Sequence, residues 1–341
     1  MPSRSGPVMV ATDHHRAPRS ETVLRAILLY LSNANWARYI ITHWRFVRRM
    51  ADRFVAGDTL EEALAAVQRL NQKGIFTTLD HLGEHVSTKE EALRATDAYI
   101  GALEALHKAG ARSNCSLKLS QLGLQFDYDL CSSNMRSIAT CAAEFGMLVR
   151  IDMEDSTTVD ATLQIYNTLC AEGCTNIGLV IQAYLYRSQA DVEKLLANGT
   201  RIRLCKGAYN EPGTVAFPKK SDVDANFDRL TAMMIDGALS HGSEVASPDG
   251  RRPPIPAIGT HDEDRITFAR EYAEQKGLPK EVLEFQMLYG IRSDLQDELV
   301  EKGYPVRVYV PYGTEWYPYF MRRLAERPAN LWFFLSAFLR G

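Results

Sequence analysis

The chain has 341 residues, a formal net charge of −3, 46% hydrophobic and 24% charged residues. That balance fits a soluble globular protein of one large domain or two ordinary ones, and the slight negative charge leaves no electrostatic footprint for nucleic acid. Six cysteines, at 115, 131, 141, 170, 174 and 205, form no C-x-x-C pair and no zinc spacing, so they read as reduced thiols in a cytosolic setting.

Residues 1–20 lack a sustained apolar core and predict a disordered segment without a signal peptide. Residues 21–70 predict helix throughout: ETVLRAILLYLSN, then NWARYIITHWRFVRRMADRFVAG ended by Gly57, then a helix opening at Asp58. There Asp58 and Glu61 have the spacing of a capping box. Trp36, Arg38, Trp44, Arg45, Arg48, Arg49 and Arg53 make the second stretch basic and aromatic. Such a face can rest on anionic lipid, but packing against protein with the arginines in water is the preferred reading. No run of about 18 apolar residues occurs anywhere, so nothing is expected to span a bilayer. LWFFLSAFL (331–339) is too short to do so and is expected to cap the domain or lie against a partner.

From Gly74 short β-rich runs alternate with helical stretches. The runs are 74–84, 113–124, 146–155, 176–184, 200–209, 254–264, 282–290 and 304–313. Near-continuous apolar strands alternating with helices indicate a parallel sheet covered by helices. Eight repeats, the last closed by a helix, favour a (βα)8 TIM-type barrel over residues 71–341. No G-x-G-x-x-G follows any strand, which counts against a Rossmann fold.

In such barrels chemistry gathers at the C-terminal ends of the strands. Those ends carry Asp80, His81 and Glu84, then Lys118, then Asp152-Met153-Glu154-Asp155, then Gln182 and Tyr184. The later strands add Arg203, Lys206 and Tyr209, then Thr260-His261-Asp262, Gln286 and Tyr289, and Tyr309 and Tyr312. One or two such residues would be ordinary strand-end hydrogen bonding. Polar groups at eight consecutive strands point to an active site. The tail, Tyr309 to Asn330, adds a helix with Tyr319, the adjacent arginines Arg322 and Arg323, and Glu326. At helical pitch Tyr319 and Glu326 flank both guanidinium groups, a cluster suited either to gripping a carboxylate or to a solvated charge network.

A metal hydrolase using His81, His85, Asp152 and His261 is disfavoured. Gly83 breaks the helix that the histidine spacing needs, and Lys118, Arg203, Lys206, Arg322 and Arg323 would repel a divalent ion. An anionic cofactor suits the cations better. Arg203-Leu-Cys-Lys206-Gly207-Ala208 joins two basic residues to a small-residue turn that lets backbone approach a ligand, although a plain barrel turn with paired charges would look the same. A flavin would use this turn, with Gln182 at its pyrimidine edge and an arginine or lysine favouring its reduced form. His261 could bond a ribityl or phosphate oxygen, or be simply structural. Two rivals remain: a barrel lyase or isomerase acting on a phosphorylated acid, and a scaffold using its basic helix.

RLCKGAYNEP (203–212) and RVYVPYGTEWYPYFMRRLAERPAN (307–330) resemble signature segments of the proline dehydrogenase family. IDMEDS, VIQAY, GTHD and EFQMLYG resemble its other barrel motifs, in the same order. The resemblance runs from the first strand to the last helix and implies a distorted (βα)8 barrel. It also implies FAD-dependent oxidation of L-proline to Δ1-pyrroline-5-carboxylate, with electrons passed to a membrane quinone. The length resembles the single-function bacterial form, with no downstream aldehyde dehydrogenase and no N-terminal DNA-binding module. Carried over residue by residue, Arg322 and Arg323 would clamp the proline carboxylate, braced by Tyr319 and Glu326. Lys118 and Asp152 would lie beside the substrate, and Tyr309, Leu288, Ala208 and Tyr209 would wall its ring. Arg203 would face the central nitrogen of the flavin, with Met153, Gln182, Lys206, Gly207, Ala208, Thr260 and His261 completing the FAD contacts. Glu84 would pair with Arg322 as a gate. The resemblance further implies a cytoplasmic enzyme with transient contact at the inner face of the cell membrane. It leaves the oligomeric state open.

Overall fold

Side-chain caps and glycines cut the chain into strict strand–helix alternation. The computed structural model describes residues 50–326, apart from 84, 85 and 243 and the side chains of 325 and 326. The expected disordered segment 1–20, most of the helical segment 21–70 and the apolar segment 331–339 lie outside the described residues. Helix α1 (Leu60–Gln72) begins one residue later than the spacing predicts: its N-cap is Thr59, not Asp58, and the acid of the capping box is Glu62, not Glu61. The reason is geometric. The Glu62 carboxylate accepts from the N–H groups of both Asp58 (2.7 Å) and Thr59 (3.1 Å), so Asp58 is held outside the helix. Helix α2 (Lys89–Lys108) uses the same device with Thr88 and Glu91.

The strands are β1 (Phe76–His81), β2 (Ser113–Leu117), β3 (Val149–Ile151), β4 (Ile177–Gln182), β5 (Ile202–Cys205), β6 (Pro256–Gly259), β7 (Glu284–Leu288) and β8 (Val306–Tyr312). Each pairs in parallel with the next, and β8 returns to β1 with Thr78 opposite Tyr309 and Asp80 opposite Pro311, closing the barrel. Between them run α2, α3 (Tyr128–Glu144), α4 (Val159–Ala171), α5 (Ser188–Ala197), α6 (Lys220–His241), α7 (Glu263–Lys276) and α8 (Ser293–Glu301). A short 3-10 turn, Leu119–Leu122, follows β2 where the sequence suggests more strand. Helix α9 (Trp316–Glu326) follows β8.

Two compact units are present: residues 45–316, which hold the barrel, and residues 1–44 with 317–341, represented among the described residues by α9 from Tyr317 onward. In the barrel, strand alternation sends Val149, Ile151, Leu179, Ile181, Val308 and Val310 into the hydrophobic core. The other strand face is polar. Its deepest feature is Arg307, fully buried against the fully buried Glu284, with Nε–Oε1 at 2.8 Å and Nη2–Oε2 at 3.1 Å. Below it the Phe76 ring lies between the guanidinium groups of Arg112 (4.4 Å) and Arg307 (5.4 Å).

Candidate active site

Asp152 organises the polar interior. It follows β3, and its N–H donates to the Leu117 carbonyl at 2.8 Å, which fixes where its side chain starts. Oδ1 accepts from Arg203 Nη1 (2.8 Å) and from Ser116 Oγ (2.6 Å), and Oδ2 accepts from the Tyr309 hydroxyl (2.7 Å). One carboxylate thus ties together residues of β2, β5 and β8. Burial, reinforced by the Asp152 charge, raises the Tyr309 phenol well above its ordinary pKa, so it remains a donor.

Arg203 is held from a second side by Gln286, whose Oε1 accepts from Nε, and its guanidinium stands 5.3 Å from the Tyr309 ring. Gln286 in turn donates to Glu284, which carries Arg307. A continuous hydrogen-bonded chain therefore runs from Tyr309 through Asp152, Arg203, Gln286 and Glu284 to Arg307. Networks of this kind fix rotamers firmly when every member is satisfied. One member is not: Arg203 Nη2 is buried and has no acceptor among the described residues. Beside this network Lys118 Nζ donates to both oxygens of Asp80, at 3.2 and 3.4 Å.

The turn after β5 bends as the small residues suggest. Gly207 has φ +121, and a Cβ there would fall 2.4 Å from the ring of Tyr184. Only glycine lets that ring lie on the turn. The β4–α5 and β5–α6 loops are zipped beside it by Phe217 N–H to Tyr184 O (2.8 Å) and Tyr186 N–H to Val215 O (3.0 Å). Ala208 is half-buried in the same turn. The paired charges that the sequence left open at this turn are present at Lys206, whose ammonium bonds both Asp224, on α6, and Asp262, the N-cap of α7. Burial is the largest single influence and pushes these two carboxyls upward, but the bonds and charges of Lys206 and Lys220 together outweigh it and leave both below the usual carboxylate range. Lys220 joins the same pair, so two lysines face two aspartates and the local charge is balanced.

Gln182, Met153, Thr260 and His261 end or follow their strands at the same end of the barrel. Gln182 Nε2 donates to the Glu154 carbonyl (2.8 Å), and Met153 is buried next to it in sequence. Thr260 Oγ1 accepts from Asp262 N–H (3.1 Å). His261 Nε2 accepts from Leu288 N–H at 2.9 Å, which requires a neutral ring with its proton on Nδ1. That bond couples the loop after β6 to the end of β7. In α9 the Arg323 guanidinium stands 5.0 Å from the Tyr319 ring, as four-residue spacing expects, and Arg322 is half-buried. Glu84 and the side chain of Glu326, the expected gate and brace, lie outside the described residues.

Ser116, Glu284, Arg307 and Asp224 were not singled out in the sequence; Ser116 bonds Asp152, Glu284 bonds Gln286 and Arg307, and Asp224 bonds Lys206. The first three lie within short strands, and only the alternation of strand faces could have revealed them. Asp224 lies 18 residues beyond Lys206, on a helix whose packing no local pattern encodes.

The family described as Proline dehydrogenase matches residues 63–334. The chain is 40% identical over 319 residues to proline dehydrogenase 1 of Bacillus subtilis, covering 93% of this chain and 100% of that one. It is 43% identical over 296 residues to the proline dehydrogenase of Deinococcus radiodurans, covering 86% and 91%. Among solved structures, proline utilization A from Bdellovibrio bacteriovorus, inactivated by N-propargylglycine, superposes with a TM-score of 0.75 at 25% identity. That match takes in 90% of this chain but 36% of the longer one. With a matching closed barrel, the family match over most of its length and relatives at 40 and 43% identity, the chain belongs to the proline dehydrogenase family.

Proposed function

We propose that this chain oxidises L-proline to Δ1-pyrroline-5-carboxylate, using FAD as cofactor and a membrane quinone as electron acceptor. The observation that carries the reading is Arg203. Its guanidinium is buried, fixed by Asp152 and Gln286, and keeps a buried Nη2 donor with no acceptor among the described residues. A preset cationic donor of this kind suits the electron-rich nitrogen of a reduced flavin. Gly207, whose Cβ-less face is taken by the Tyr184 ring, is assigned to the same cofactor. Met153, Gln182, Lys206, Ala208, Thr260 and His261 are assigned as the other cofactor contacts. Lys206 would serve as a point charge already steadied by two aspartates, so its pull on phosphate is moderated.

Oxidation removes a hydride equivalent from the ring carbon next to nitrogen and a proton from the nitrogen, and a bound flavin supplies the two-electron acceptor. The amine must be neutral, since its lone pair becomes the new C–N π bond. Cationic groups nearby favour loss of that proton by like-charge repulsion. Arg322 and Arg323 are assigned as the bidentate clamp on the substrate carboxylate, with Tyr319 and Glu326 as braces and Glu84 as gate. Clamping removes the entropic cost of aligning the ring. Tyr309 and Leu288 are assigned to the ring wall. Lys118 and Asp152 are assigned to the charge network around it.

Among the described residues no helix is long and apolar enough to cross a membrane. We place the enzyme in the cytoplasm with peripheral contact at the inner membrane face, where a quinone is reached. Incubating the purified protein with L-proline and an artificial electron acceptor tests the activity. The expected product is lighter than proline by two hydrogens; proline recovered unchanged, with the acceptor still oxidised, would refute it.

A further inference from the structure

Among the described residues, the cations that the strands carry into the barrel are each matched by a carboxylate, with one exception. Lys118 meets Asp80, Arg203 meets Asp152, and Arg307 meets Glu284. Arg150, on β3, meets none of these. Its Nη1 donates to the carbonyl oxygens of Leu179 (3.0 Å) and Arg201 (2.8 Å), and its Nε and Nη2 are buried without a protein acceptor. The residue is 0% exposed. Burial, followed by repulsion from Arg203, pulls its pKa down to about 9, which still leaves it charged at neutral pH.

The fold makes room for this side chain. Gly178 is the β4 partner of Arg150, and a Cβ there would fall 3.1 Å from Arg150 Nη1 and 2.8 Å from the Arg201 carbonyl. This glycine is not required by a left-handed turn; it leaves space for the guanidinium. The depth is equally specific. On β4, Gly178 partners Arg150 and Val180 partners Arg203, so Arg150 lies one inward-facing step deeper than Arg203. A charge removed from water without an ionic partner is a standing penalty to the fold, and an apolar side chain of similar volume would avoid it. What such a charge offers in return is a field that bulk salt barely screens.

We propose that Arg150 is a positioning residue for the redox step: its unpaired buried charge, acting together with Arg203, makes the flavin bound at the barrel mouth easier to reduce. This inference rests on the flavin reading given under Proposed function. A buried unit charge acting over roughly 10 Å at an effective dielectric of about 20 changes an equilibrium that creates a second unit charge by about tenfold. For a two-electron couple that corresponds to about 30 mV.

The test is an anaerobic reductive titration of the flavin-bound protein against a reference dye, comparing the parent with Arg150→Met and Arg150→Lys. Arg150→Met is expected to keep its flavin and lose about tenfold in the reduction equilibrium, while Arg150→Lys, which keeps the charge, stays close to the parent. An unchanged equilibrium in flavin-bound Arg150→Met overturns the proposal. If Arg150→Met does not retain flavin, Arg150→Gln is read the same way. If neither charge-free variant binds flavin, the guanidinium is needed for folding and the proposal fails. A parent protein that carries no flavin would instead sink the flavin reading itself, so the two failures are distinguishable.

Discussion

Replacing Asp152 by asparagine should disconnect the polar interior, and the cost follows from its partners. The carboxylate receives Arg203, Ser116 and Tyr309 at 2.8, 2.6 and 2.7 Å, with side-chain exposures of only 7% for Arg203 and 13% for Asp152. An amide keeps one acceptor oxygen and turns the other position into a donor, so it cannot serve all three. Leaving the Arg203 charge without its counter-ion costs about 3–5 kcal/mol. Tyr309→Phe removes a single hydrogen bond to a charged acceptor and costs about 1.5–3 kcal/mol. Because the two sites share one bond, the double variant should fall short of the summed losses by about 1–2 kcal/mol. Urea unfolding followed by far-ultraviolet circular dichroism, with flavin in excess, measures all four corners of the cycle. Losses that add within about 0.5 kcal/mol would show that Tyr309 and Asp152 are not coupled, and the network would have to be abandoned.

Arg322→Lys or Arg323→Lys should raise KM for proline by at least about tenfold while flavin content stays at the parent level, since a point charge replaces a fork; an unchanged KM removes the clamp. Gly207→Ala combines a left-handed φ of +121 with a Cβ 2.4 Å from the Tyr184 ring. It should cost at least about 1–3 kcal/mol and lower flavin retention, read by unfolding and by absorbance after gel filtration. His81, packed against the Tyr312 ring at 5.1 Å, has its pKa lowered by burial despite the opposing Asp80 carboxylate. Its share of stability is therefore intact above the unfolded value near 6.5 and is lost as pH falls toward the lower folded value. Thermal melts across that window should show a steeper acid-side loss in the parent than in His81→Asn; parallel curves would contradict this.

The barrel was legible in the sequence because eight apolar runs, each followed by a helical pattern, leave few alternatives once no nucleotide-binding glycine motif is present. Strand-end chemistry was legible for the same reason: Asp152 and Lys118 directly follow strands, and Arg203 and Tyr309 lie within the strands that lead to the same end. What stayed hidden was the support beneath them. Arg150, Glu284 and Arg307 lie in short strands that otherwise read as largely apolar, and what each side chain meets depends on register between neighbouring strands. The neutralisation of Lys206 by Asp224 and Asp262 was hidden too, since those aspartates lie 18 and 56 residues away. Local capping was misplaced by one residue at Thr59, where two neighbouring backbone N–H groups compete for Glu62.

One measurement bears on the central claim most directly: the visible absorbance of the purified protein, recorded without oxygen before and after adding L-proline. A yellow protein whose colour bleaches on adding substrate, and returns when an electron acceptor is supplied, is the expected result. A colourless protein, or a yellow one indifferent to proline, would contradict the assignment of the barrel mouth as a flavin site for proline oxidation.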